Sequence, residues 1–157
     1  MVVKSVPTGT QLITHSVSGR YVTPEGNHDL DLQVRLWRAA PTTSVKTAMW
    51  EIIPQASEGN HHLVRIKNAG YNRCLTLKEV KQRAPVMFAE RDDDDDNQLW
   101  LIIHADPAQA DFLIASPKKP NLVMAPREGH QDVEALLEME EQGPWTDQFW
   151  RWRVPRT

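Results

Sequence analysis

Leu99-Trp100-Leu101-Ile102-Ile103 has two counterparts, Met49-Trp50-Glu51-Ile52-Ile53 and Phe149-Trp150-Arg151-Trp152-Arg153-Val154, which set Trp50, Trp100 and Trp150 fifty residues apart. Each tryptophan sits in a short apolar run near the end of a similar block, and the runs divide the 157 residues into thirds, roughly 8–56, 57–107 and 108–157. A period of this length occurring three times in a chain of ordinary domain size fixes the architecture before any local reading does. No Pro/Ser-rich or polar linker separates the thirds, so residues 1–157 are expected to form one domain.

Each third reads as two strands around a tight turn, a third strand after a loop, and a fourth that carries the tryptophan. In the middle third, Leu63-Val64-Arg65-Ile66-Lys67 alternates apolar and polar residues with the period of a half-buried strand. Turn chemistry follows at Asn68-Ala69-Gly70-Tyr71-Asn72. The chain then returns as Cys74-Leu75-Thr76-Leu77, with a third strand at Pro85 to Ala89 and a fourth at Gln98 to Ile103. The first third repeats the plan with Gln11 to Thr14, Tyr21 to Thr23, Val34 to Trp37 and the Trp50 run. The last third does so with Asp111 to Ala115, Leu122 to Met124, Val133 to Leu137 and Phe149 to Val154. Asp132 to Glu141 is rich in helix formers, but the other two thirds predict a strand there. Twelve short strands whose blocks cannot bury an apolar face alone predict an all-β domain, a β-trefoil of three pseudo-symmetric repeats. Trp50, Trp100 and Trp150 are expected inside its barrel, as structure rather than ligand platforms.

Composition narrows the function classes. Hydrophobic residues make up 40% of the chain and charged residues 25%, enough for a core and against disorder. A net charge of −3 offers no concentrated basic face, which disfavours nucleic acid and anionic membranes as partners. There is no apolar window of membrane-spanning length and no secretory h-region after Met1, and the single Cys74 cannot form an internal disulfide; cytoplasmic residence is the expectation.

The repeat, together with Asn97-Gln98-Leu99-Trp100 and Asp147-Gln148-Phe149-Trp150, resembles the Gln-x-Trp repeats of the ricin-B-like β-trefoil lectins, and in particular their small leaderless fungal members. The resemblance covers nearly the whole chain. It implies a non-catalytic carbohydrate-binding protein with glycans or glycoproteins as partners and no cofactor. It also implies structural roles for Gln98 and Gln148, and in each repeat a shallow pocket with an acid after the first turn, an aromatic on the third strand and the Asn before Gln-x-Trp. A pyranose has an apolar C–H face that packs on a ring and hydroxyls that need fixed donors and acceptors. By this pattern the second repeat offers Phe88 as the ring and Asn97 as the amide, with Thr76 or Lys78 where the acid is missing. The first offers Trp37 flanked by Arg35, with Thr47 in the Asn position. The third keeps Asp147 before Gln148, but leucines and glutamates occupy its stacking strand. The pockets rank second, first, third. Repeat symmetry, or a homodimer, would convert weak sites into avidity.

Other features have plainer expectations. Asp92 to Asp96 lacks the spaced ligands and turning glycine of a Ca²⁺ loop, and reads as a solvated loop. The six histidines show no zinc spacing, and Cys74 lies in an apolar strand, so no metal or nucleophile is expected. Trp145 follows Gly143-Pro144 in a loop, where it either anchors a ligand or folds back on the barrel. The competing function is a β-trefoil protease inhibitor. It would use an exposed loop among Asn27 to Gln33, Ala39 to Lys46, Lys78 to Ala84 or Glu140 to Thr146, with Lys81 or Arg83 as the basic residue for a trypsin-like cleft. A trefoil that binds protein partners through its surface is a third reading.

Overall fold

The structure, a computed structural model, describes residues 7, 9–24, 32–37, 48–58, 61–104, 111–127 and 135–153. The first repeat contributes β1 (Thr10–His15), β2 (Tyr21–Thr23), β3 (Leu32–Gln33), β4 (Arg35–Trp37) and β5 (Trp50–Glu58). The second contributes β6 (His61–Asn68), β7 (Arg73–Thr76), β8 (Met87–Glu90) and β9 (Leu99–Ile103). The third contributes β10 (Leu113–Ala115), β11 (Leu122–Pro126), β12 (Leu137–Glu141) and β13 (Trp150–Arg153). β3 and β4 flank Val34 and together fill the place of one strand, which reconciles thirteen segments with a plan of twelve. Among the described residues no helix is long and apolar enough to cross a membrane.

The first and fourth strands of the repeats close into a barrel. β1 pairs with β5, β5 with β6, β6 with β9 and β9 with β10, all antiparallel. A Phe112–Trp150 bridge and the β13–β1 ladder complete the ring. Closure removes the open edges that a sheet of short strands would otherwise present. The second and third strands form hairpins β2–β4, β7–β8 and β11–β12 over one end. The hairpins join one another through β3–β8 pairing and the Arg35–Leu136 and Pro85–Glu138 bridges.

One contact recurs in every repeat. The indole N–H of Trp50 donates to the Val22 carbonyl at 3.0 Å, that of Trp100 to Leu75 at 2.9 Å and that of Trp150 to Met124 at 2.9 Å. All three rings are fully buried in a core that also holds Ile13, Leu36, Ile66, Phe88, Ile102 and Met139. An indole fills the space between barrel and hairpins, and its one polar atom meets a strand carbonyl that the barrel ladder leaves over.

The expected third strand at Val133 to Leu137 is displaced. Strand β12 runs from Leu137 to Glu141, and residues 128–134 lie outside the described set. The reason is core contact: Leu137 and Met139 are the residues that reach the barrel end, and Met139 pairs with Met124. Glu138 between them is buried, and Arg127 meets its carboxylate at 3.1 Å.

The two ends of the chain are clasped by His15. The Asp147 carbonyl can only accept, so His15 Nε2 carries the hydrogen and donates to it at 2.7 Å, which leaves Nδ1 to accept from the Ser18 hydroxyl at 2.8 Å. Burial holds the His15 pKa below its usual value, outweighing the bond to and the charge of Asp147.

Replacing any one of the three tryptophans by Phe keeps most of the buried ring but orphans a carbonyl. Urea denaturation should show a loss of about 1–3 kcal/mol at each position, and a similar loss at all three. His15 binds a proton more readily in the unfolded chain than in the folded one, so its contribution to stability is complete above pH 6.5 and declines as the pH falls through the lower folded value. The Tm should therefore drop between neutral pH and about 5, and H15Q should flatten that part of the profile.

Candidate functional site

Asn97-Gln98 and Asp147-Gln148 each form a short 3-10 turn that delivers the chain into a tryptophan strand. Gln98 shows what the repeated amide does locally: its Oε1 accepts from the Asp92 N–H at 2.8 Å, and its Nε2 donates to the Glu90 carbonyl at 2.6 Å. Gln148 does the same in the third repeat, accepting from Gly143 N–H at 3.0 Å and donating to the Glu141 carbonyl at 2.8 Å. Each amide staples the loop that follows the third strand. The first repeat has buried Ala48 in that place and lacks the staple.

In the second repeat the stapled loop walls a hollow of about 940 Å³. Arg73 and Thr76 line it from β7, Ala89 and Glu90 from β8, and Lys78 from the turn after β7. Arg91, Asp92, Asp95, Asn97 and Gln98 form the loop side. Three residues expected at a sugar pocket, Thr76, Lys78 and Asn97, thus meet in one place.

Their individual positions differ in what they offer. Thr76 is buried and its hydroxyl donates to the Cys74 carbonyl at 3.0 Å. The Asn97 side-chain carbonyl accepts from Lys118 Nζ of the next repeat at 2.9 Å, which leaves its NH₂ as a donor. Asn97 is further fixed by its backbone N–H on the Asp95 carboxylate at 2.9 Å and by Leu77 N–H on its carbonyl at 2.9 Å.

Phe88 is not available as a stacking ring. It is 0% exposed, edge-on to Trp50 and Tyr71, with the Arg73 guanidinium 5.6 Å from its centre. Strand register explains the miss: Leu75 pairs with Phe88, Val22 with Leu36 and Met124 with Met139, so Phe88 corresponds to core residues Leu36 and Met139. The position equivalent to Trp37 is Ala89 in the second repeat and Glu140 in the third. In the first repeat, Trp37 pairs with Tyr21 and Arg35 with Thr23, while Thr47 lies outside the described residues. In the third, Asp147 is half-buried and its backbone carbonyl serves His15.

Arg65 and the acidic run form a unit that sequence reasoning did not connect. The Arg65 side chain, 5% exposed, donates to the backbone carbonyls of Asp93 at 2.7 Å, Asp92 at 3.2 Å and Asp95 at 3.4 Å. The loop encloses a guanidinium where a cation-binding loop would enclose a metal. Outside, Arg91 meets the Asp93 carboxylate at 2.8 Å and holds that carboxyl below the usual carboxylate range. The one signal in sequence was an arginine alternating into an otherwise apolar strand, Val64-Arg65-Ile66. Burial pushes the Cys74 thiol up to about 11, which keeps it protonated and inert behind this wall.

Of the four loops expected for an inhibitor, Asn27 to Gln33 lies largely and Ala39 to Lys46 wholly outside the described residues, while Lys78 to Ala84, which carries Lys81 and Arg83, is pinned to the third repeat's hairpin. Arg83 adopts a left-handed φ of 67° and its N–H donates to the Met139 carbonyl at 2.6 Å, while Lys81 is paired with Glu79 at 2.7 Å. An extended strand presented to a protease cleft is not what this geometry supplies.

No protein-family profile matches the chain, and no curated protein sequence matches it. Solved structures do. The Rhizoctonia solani agglutinin is similar with a TM-score of 0.76 at 14% identity, covering 97% of this chain and 99% of that one. A Macrolepiota procera ricin B-like lectin, solved in complex with lactose, is similar with a TM-score of 0.71 at 18% identity, covering 97% and 100%. An exo-beta-1,3-galactanase from Clostridium thermocellum matches with a TM-score of 0.73 at 19% identity, over 96% of this chain but 31% of the enzyme. The chain is a β-trefoil, similar in fold to the ricin B-like lectins.

Proposed function

We propose that this protein is a carbohydrate-binding lectin without catalytic activity, and that the hollow of the second repeat is its principal sugar site. The observation that carries the reading is the convergence of fixed donors and acceptors on one concave wall: the Asn97 amide, Lys78, Arg73, Arg91 and Glu90 beside a loop that Gln98 and Arg65 hold rigid. Rigid polar groups of both kinds suit the hydroxyls of a pyranose, and groups held in place before binding cost little ordering entropy on contact. The lectin folds similar to this chain, one of them solved with lactose, support the same reading.

With Ala89 where a stacking ring would stand, recognition rests on hydrogen bonds to charged groups rather than on an aromatic face. A single site of that kind binds a monosaccharide at about millimolar strength, so useful affinity comes from several sites or several copies. The galactanase match spans a minor part of that enzyme, and the buried, protonated Cys74 supplies no nucleophile, which favours binding over turnover.

Glycan-array screening followed by calorimetry on the hit tests the site. N97A or K78A should weaken binding by about tenfold, the size of one lost charge-assisted or fixed hydrogen bond, while T76A should change it less than about twofold because that hydroxyl already serves Cys74. Retention of full affinity in both N97A and K78A would refute the assignment. R65M removes the internal cation and should release the loop, weakening binding at least tenfold with faster amide exchange at 92–98. Chelators should leave wild-type affinity unchanged, because the guanidinium already occupies the centre of the acidic loop.

A further inference from the structure

The turn that follows the first strand of each repeat rests on the preceding repeat around the ring, at the entry to its tryptophan strand. Ala69 N–H donates to the Met49 carbonyl at 2.9 Å and Ser16 N–H to the Phe149 carbonyl at 3.0 Å, so a backbone bond secures two of the three junctions. Continuing the Ala115–Leu101 register by two residues opposes Pro117 to Leu99, the equivalent pair at the remaining junction. Proline has no N–H, and the backbone bond made at the other two junctions is excluded there.

A side chain spans this junction instead. Lys118 is exposed on the turn closed by the Ser116–Leu122 and Leu122–Lys119 backbone bonds, and its ammonium donates to the Asn97 side-chain oxygen at 2.9 Å. An ammonium can only donate, so the amide end that meets it is Oδ1 and the end left for the hollow that Asn97 lines is NH₂. The Asn97 backbone is fixed independently, its N–H on the Asp95 carboxylate and its carbonyl under Leu77 N–H. Lys118 therefore decides one thing only, which end of a nearly symmetric amide an occupant of the hollow meets.

We infer that Lys118, reaching across from the third repeat, is a positioning residue of the second-repeat hollow, and that it makes Asn97 a hydrogen-bond donor whose partner on the glycan is an acceptor oxygen. This rests on the reading of the protein as a lectin and deepens it. A ring, glycosidic or O-alkylated oxygen satisfies Asn97 as well as a free hydroxyl does. An amide turned the other way would demand a hydroxyl hydrogen and would set its carbonyl against the lone pairs of an alkylated oxygen. The site is thus completed by two repeats, and a substitution in the third changes what the second accepts.

NMR and calorimetry test this on the wild type, K118M, K118E and the control K119E, which makes the same charge change one residue away. Lys118 and Lys119 are both exposed, so all four proteins should have Tm values within a few degrees of one another. Without any glycan, the Asn97 side-chain NH₂ should be ordered on the ps–ns timescale in the wild type and in K119E, and mobile in K118M. The binding probes are the highest-ranking glycan of an array and its monodeoxy and mono-O-methyl derivatives. K118M should bind the parent glycan about threefold more weakly. The hydroxyl that faces Asn97 is the one whose removal costs affinity in the wild type and none in N97A. There the wild type should accept an O-methyl group with less than about threefold loss, and K118E, whose carboxylate turns the amide round, should reject it by about tenfold or more. An amide equally ordered in K118M, O-methyl tolerance unchanged in K118E, or the same loss in K119E would overturn the assignment. A wild type that binds no glycan would overturn the lectin reading and the glycan half of this inference with it, while the NMR comparison would still decide whether Lys118 holds the amide.

Discussion

The structure depends on an indole N–H reaching a carbonyl of its own repeat's second strand, three times over. Each such bond ties a barrel strand to a hairpin of the cap, and each lies in a core where no water can replace it. Burying a tryptophan supplies more apolar area than any other residue, but only if its one donor is satisfied. A fourfold or twofold arrangement of these strands would not bring three such carbonyls within reach of three rings around one axis. The repeat in sequence and the pseudo-threefold symmetry of the barrel are therefore one constraint seen at two levels.

From that constraint the wall of the hollow follows. The tryptophan strand must be entered at a fixed place, and Gln98 and Gln148, two residues earlier, secure the entry by holding both ends of the preceding loop. What the loop then contains is free to vary. The second repeat packs it around Arg65, and the third lays a tryptophan on a glycine. The first, with Ala48 in place of the glutamine, has no staple to fasten its loop. Rigid entry with variable filling lets one fold carry dissimilar surfaces on equivalent sites.

The barrel was readable in the chain because its cause is periodic: buried indoles, turn residues and alternating strands recur at one spacing. The proposed site was legible only as neighbours: Thr76, Lys78 and Asn97, named from the repeat pattern, line one hollow. Phe88 was misassigned because the distance from third strand to tryptophan is not constant. Trp37 stands thirteen residues before Trp50, whereas the register places Ala89, eleven before Trp100, and Glu140, ten before Trp150, at the same position. Counting backwards across a loop of variable length shifts the register by one, and one residue in a strand exchanges core for solvent. Arg65 was missed for a different reason. Its partners are backbone carbonyls nearly thirty residues away, which leave no mark in residue identity.

Amide chemical-shift mapping on titration with the best glycan from an array tests the central claim most directly, since it reports every wall of the protein at once. The account predicts the largest shifts at the Asn97 and Gln98 side-chain amides and the backbone of 90–98. Shifts gathered elsewhere, with the 90–98 loop unmoved, would contradict it.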